Sequence, residues 1–101
     1  MNQKLNLKDT LNYQQNAIVS KQLIKKNNGN VTLFAFDKNE SLSEHTSAFE
    51  ALIIINEGKL NVNIGGADYL LEGGEMILLP PNIPHSLYAK EKSKMILVMI
   101  K

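Results

Sequence analysis

Cysteine is absent from this 101-residue chain. That excludes disulfides, thiolate catalysis and cysteine-ligated zinc outright. Arginine is absent too, and all eleven basic residues are lysines. Without a guanidinium there is no bidentate fork for phosphate or carboxylate, which counts against a nucleotide or nucleic-acid ligand. A net charge of +1 gives no electrostatic pull toward nucleic acid or a membrane surface. No apolar run approaches membrane-spanning length, and the start, Met1-Asn2-Gln3-Lys4-Leu5-Asn6, has no signal-peptide core. The expectation is a soluble cytoplasmic protein with no nucleic-acid or membrane partner. An apolar fraction of 44% argues against disorder, and the length suits one domain.

Taken in order, residues 1–16 are polar, with Leu5, Leu7, Leu11 and Tyr13 as their large apolar side chains. They read as an N-terminal arm that packs on the domain or on a second subunit, with Asp9 or Thr10 able to cap one helical turn. Residues 17–101 read as the domain itself. Residues 17–26 and 31–36 are strand-like, joined by Asn27-Asn28-Gly29-Asn30, residue types that tolerate the positive φ of tight turns. Residues 48–56 are almost wholly apolar and suggest a strand buried on both faces. Residues 59–64 alternate, with Leu60, Val62 and Ile64 opposite Lys59, Asn61 and Asn63. Residues 95–100 form an apolar closing strand. About eight short strands at turn-bounded spacing predict an all-β sandwich or barrel.

The most informative stretch is Gly73-Gly74-Glu75-Met76-Ile77-Leu78-Leu79-Pro80-Pro81-Asn82-Ile83-Pro84-His85. Two glycines turn the chain, and residues 76–79 predict a short buried strand. Proline stops it, because it lacks the N–H a ladder needs. His85 follows the rigid corner. The other histidine, His45, opens the segment before residues 48–56. No nucleophile stands beside a base in a familiar arrangement, and the Gly-Gly pairs turn strands without opening helices, which argues against a phosphate cradle.

These residues resemble the cupins, small double-sheet jelly-roll barrels. Gly74, Pro80 and His85 fall on the second cupin motif, with Asn82 in a glycine position and Ala89 in the asparagine position. His45 and Gly58 fall on the first motif, with Asn39 in its leading glycine position, Ser47 in place of its second histidine and Ala51 in place of its glutamate. Asparagine tolerates the left-handed conformation, so both turns should survive. The resemblance implies a double-stranded β-helix, or jelly-roll barrel, spanning roughly residues 18–100.

In the family, four inward side chains hold one divalent metal. Side chains alternate along a strand. If His45 faces in, Ser47, Phe49 and Ala51 do so as well, while Glu50 faces away. His45 and His85 are then all that remains of the family's ligands, and a metal (Fe, Mn, Ni, Zn or Cu) would have to complete its shell with water or substrate. The readings that follow are a small-molecule-binding barrel, with His45, His85, Ser47, Phe49, Ala51 and Phe36 around an anionic or carbonyl-bearing ligand, and a metal-dependent dioxygenase, isomerase or decarboxylase. The residues leave open whether there is catalysis. Phe34, Phe36 and Phe49 also suit a filled core, and Met76, Met95 and Met99 read as core gap-fillers. Tyr88 should face out. The resemblance also implies a homodimer, with residues 95–100 and the arm as candidate contacts through open sheet edges.

Overall fold

The structure is a computed structural model and describes residues 3–101; Met1 and Asn2, the first residues of the expected arm, lie outside the described residues. Nine strands and no helix form among the described residues: β1 (Ile18–Lys26), β2 (Gly29–Phe36), β3 (Ser41–His45), β4 (Glu50–Glu57), β5 (Lys59–Ile64), β6 (Ala67–Glu72), β7 (Met76–Leu79), β8 (His85–Ala89) and β9 (Ser93–Ile100). A five-stranded sheet runs β1-β2-β9-β4-β7 and a four-stranded sheet runs β3-β8-β5-β6. All pairings are antiparallel. The chain folds into an all-β jelly roll with its core between the two sheets.

Period-two alternation builds that core. Phe36, Ala51, Ile53, Ile55, Leu60, Val62, Leu71, Leu79, Leu87, Ala89 and Met95 form one buried cluster, packed against by Ile18, Phe34, Leu42, Ile64, Ile77, Leu97 and Met99. Each fully buried Leu, Ile, Val, Phe or Met contributes about 1.5–3 kcal/mol. The β5 alternation holds, with Leu60 and Val62 buried and Lys59 exposed.

Continuous apolar runs mislead where alternation does not. In β4, Ala51, Ile53 and Ile55 are buried, but Leu52 and Ile54 are only partly covered. In β7, Met76 and Leu78 are 64% and 66% exposed, so this strand is not buried as expected. It is an edge strand of the large sheet, and its outward residues meet no other part of the chain's core. Met76 is therefore no gap-filler, whereas Met95 is. Strand β9 is also not an edge. It lies between β2 and β4, so its backbone groups are already paired and it cannot add to another chain's sheet.

The turns divide similarly. Asn39 and Asn82 take φ of 72° and 64°, as their glycine positions require. The Asn27-Asn28 hairpin forms, yet neither residue nor Gly29 has a positive φ. Gly29 is needed for a different reason, because a Cβ there would sit 2.9 Å from the Met99 carbonyl oxygen. The arm forms one turn, but Asn6 caps it in place of Asp9 or Thr10, its Oδ1 accepting the Lys8 N–H at 2.9 Å. The Asp9 N–H and the Thr10 hydroxyl both donate to the Asn6 carbonyl, making an isolated turn. Leu7 and Leu11 then lie over Leu33 and Ile96 on the outer face of the large sheet. Tyr13 anchors the arm. Its hydroxyl donates to Glu57 Oε2 at 2.7 Å, and the Lys92 and Lys94 ammoniums lie 5.6 and 5.0 Å from its ring centre. Burial, then Glu57, raises the Tyr13 phenol above its ordinary value.

Candidate functional site

The site begins at the proline corner between β7 and β8. Asn82, in its left-handed conformation, donates its N–H to the Ser47 carbonyl at 2.7 Å. One hydrogen bond thus ties the corner before His85 to the segment after His45. The Pro84 carbonyl accepts from Gly65 N–H at 2.9 Å, which fixes the corner against the β5–β6 turn. His85 then opens β8 opposite Ile64 of β5 on one side and His45 of β3 on the other.

The register of β3 decides where His45 points. Leu42 pairs with Leu87 and His45 with His85, so three steps on β3 match two on β8. This is a β-bulge, a device that re-aims side chains beside sites. Leu42 packs against the core. Without the bulge, strict alternation from Leu42 would turn Glu44 inward and His45 outward. With it, the imidazoles meet edge to face, their ring centres 4.3 Å apart and their planes at 68°.

Backbone carbonyls orient both rings. His45 Nδ1 lies 2.8 Å from Ser43 O, and His85 Nδ1 lies 3.2 Å from Ile83 O. A carbonyl only accepts, so each neutral ring carries its proton on Nδ1 and leaves Nε2 as a bare lone pair. Among the described residues no hydrogen bond engages either Nε2. Among the described residues no buried side-chain nitrogen or oxygen is left without a partner, so the His85 Nε2 reaches solvent although the residue is only 8% exposed. Burial holds the His85 imidazole below the ordinary histidine value; the Ile83 carbonyl offsets part of this and the neighbouring His45 adds to it.

The other expected site residues separate. Ser47 and Phe49 sit together in the crossing from β3 to β4, where Ser47 Oγ accepts the Phe49 N–H at 3.1 Å. The Lys101 ammonium lies 5.7 Å from the centre of the Phe49 ring. Ala51 is buried in β4 between Leu79 and Met99, at the same end of the barrel. Phe36 does not join them. It pairs with Ser93, whose Oγ accepts the Lys59 N–H, and Lys59 is at the opposite end of β5 from Ile64 and His85. Phe36 is core at the far end, fully buried. Tyr88 faces out and donates to Asn39 Oδ1 at 2.8 Å, and Glu50 is exposed. Sequence reasoning missed the carbonyls of Ser43 and Ile83. They carry no side-chain signal, and only the bulge and the corner place them.

The first motif's closing glycine has a direct steric cause. Gly58 has φ of 98°, and a Cβ there would lie 2.2 Å from Lys92 O and 2.4 Å from Ser93 Oγ. Residues 32–101 match the family described as the Cupin domain. The chain belongs to the cupin family. This cupin is similar to a conserved protein of unknown function from Streptococcus pyogenes, with 30% identity and a TM-score of 0.94 over 98% of this chain and 87% of that one. It is similar to a cupin 2 conserved barrel domain protein from Leptotrichia buccalis, with 36% identity and a TM-score of 0.93 over 96% of this chain but 47% of that one. A cupin superfamily protein from Desulfitobacterium hafniense shares the fold at 21% identity and a TM-score of 0.92, over 99% of this chain and 92% of that one. Among curated proteins no significant match was found.

The donor set does not fit a complete metal cage. Among the described residues no group of three or more His, Cys, Asp or Glu side chains converges. Two imidazoles fall short of the three protein ligands usual even for an open zinc site. No helix of the described residues is long and apolar enough to cross a membrane.

Proposed function

We propose that this cupin binds a small organic molecule at the mouth of the barrel, with His45 and His85 as its polar contacts. The observation that carries the reading is the pair of uncommitted Nε2 atoms, each fixed by a backbone carbonyl on the other ring nitrogen. That chemistry narrows the ligand. A neutral imidazole with its proton on Nδ1 presents an acceptor at Nε2, so its natural partner is a donor such as a hydroxyl group. An anion or carbonyl needs the protonated ring, which burial of His85 opposes near neutral pH. The ligand class is therefore a hydroxylated molecule, such as a sugar or polyol, in place of the anionic or carbonyl-bearing one that the sequence suggested.

The metal-dependent reading would use the same two lone pairs. It needs the ligand or water to supply the rest of the coordination shell.

The test is a ring-resolved NMR titration of the histidines with a panel of sugars, polyols and small organic acids. The expected result is that a hydroxylated member perturbs both imidazoles and that His45→Ala with His85→Ala abolishes its binding. If no panel member moves either ring, or if only acids do, the reading fails. Divalent metals form a separate arm. Tight stoichiometric uptake of one metal, lost in the same double variant, would favour the metal reading.

A further inference from the structure

A cation stands on the wall of the mouth opposite the two imidazoles. Ala51, Ile53 and Ile55 of β4 and Met95, Leu97 and Met99 of β9 turn into the barrel. Glu50 and Ile100, paired across the same two strands, turn out and are exposed. Alternation therefore carries the inner face past the strand ends to Phe49 and Lys101. Both backbones are held. The Lys101 N–H donates to the Asn28 carbonyl at 2.8 Å, which extends the β2–β9 ladder beyond the Gly29–Ile100 pair. The Phe49 N–H donates to Ser47 Oγ. The Lys101 ammonium lies 5.7 Å from the centre of the half-buried Phe49 ring, within cation–π reach. Among the described residues no carboxylate pairs with this ammonium.

The two walls make complementary demands. His45 and His85, at the ends of β3 and β8 in the small sheet, offer acceptors at Nε2. Lys101, extending the large sheet, offers a positive charge beside an apolar ring. Facing sheets lie about 10 Å apart. Ala51, the next inward residue on β4, is too short to reach across. Hydrogen bonds of about 2.8 Å at either end leave room for a chain of roughly four to six carbons. A ligand with hydroxyls at one end and a carboxylate at the other meets both walls. Its charge falls on the ammonium and away from the rings, so neutral imidazoles do not oppose it.

We infer that the mouth takes a short hydroxylated monocarboxylic acid, its hydroxyls donating to the two Nε2 atoms and its carboxylate accepting from the Lys101 ammonium. Lys101 is then the residue that selects for charge. The inference rests on the hydroxylated-ligand reading and adds one carboxylate to it.

NMR titration of the full chain with matched six-carbon probes tests it. Gluconate carries hydroxyls and a carboxylate, sorbitol carries hydroxyls alone and hexanoate a carboxylate alone. The wild type should bind gluconate about fivefold more tightly than sorbitol, as an exposed ion pair allows, with both imidazoles shifted. Hexanoate should leave the imidazoles unmoved. Lys101→Gln changes an exposed side chain, so the fold should persist by circular dichroism. It should bring gluconate down to the affinity of sorbitol and leave sorbitol itself unaffected. Salt at about 1 M should erase the same advantage in the wild type. Equal affinity for gluconate and sorbitol, or a gluconate preference that survives Lys101→Gln, overturns the role of Lys101 and leaves the hydroxylated-ligand reading standing. Hexanoate bound as tightly as gluconate, or neither hydroxylated probe bound, overturns both.

Discussion

The two ends of the barrel are built on different terms. At the far end, Phe36 and Ser93 are fully buried, Gly58 touches backbone with no room for a Cβ, and Ser93 Oγ both accepts from Lys59 N–H at 3.0 Å and donates to Glu91 O at 2.8 Å. Tyr13 closes the same end through Glu57. At the mouth, His45 is exposed, His85 reaches solvent by one nitrogen, and Ser47 and Phe49 are only half covered. One end is packed and satisfied within the chain. The other holds oriented groups whose partners are not in the chain. Stability resides mainly at the first, and the proposed binding chemistry belongs to the second.

Substitutions should separate the ends. Phe36→Ala removes the largest fully buried side chain and should cost about 3–5 kcal/mol of unfolding free energy, measured by chemical denaturation. Gly58→Ala should cost roughly 2–4 kcal/mol, since it combines an unfavourable φ of 98° with a contact to the rigid Lys92 carbonyl. A loss below 1 kcal/mol in either, on the order of an ordinary surface change, would erase the contrast between the ends. Asn82→Ala should cost about 1–2 kcal/mol through its φ of 64°, and it should also disturb the histidine NMR signals, because Asn82 N–H holds the Ser47 segment.

The mouth should report through pH more than through stability. Burial lowers the His85 value in the folded state, so the unfolded chain takes up the proton first as pH falls. The contribution is fully present above the ordinary value of 6.5 and is lost as pH falls from there through the lower folded value. Denaturation midpoints of the wild type should therefore drop across that window relative to His85→Ala. Parallel curves would mean that His85 titrates as if unfolded. The smallest effect belongs to His45→Ala, within about 0.5 kcal/mol because the residue is exposed, with ligand binding lost all the same.

Much of the fold was legible because β5 alternates and because Asn39, Gly58, Gly74, Pro80 and Asn82 punctuate the chain where a jelly roll turns. The apolar runs of β4, β7 and β9 were not legible in the same way. A run without a period does not say which of its faces the chain itself covers, so the open outer face of the large sheet was hidden. The pairing of His45 with His85 was expected from motif spacing, but its mechanism was not. The bulge between Leu42 and His45 has no glycine or proline to announce it, and it sets the direction of His45. Phe36 was misplaced because composition marks it as apolar and aromatic without marking its end of the barrel. The proposed ligand class rests on the carbonyls of Ser43 and Ile83, which no side-chain pattern encodes.

The central claim is that two imidazoles share the mouth, each held by a backbone carbonyl at Nδ1, with both Nε2 atoms uncommitted within the described residues. Nitrogen-15 NMR of the histidine rings near neutral pH tests it most directly. The account predicts that the neutral form of each ring carries its proton on Nδ1, and that a hydroxylated ligand shifts both Nε2 signals. A neutral ring with its proton on Nε2 in the free protein would contradict it.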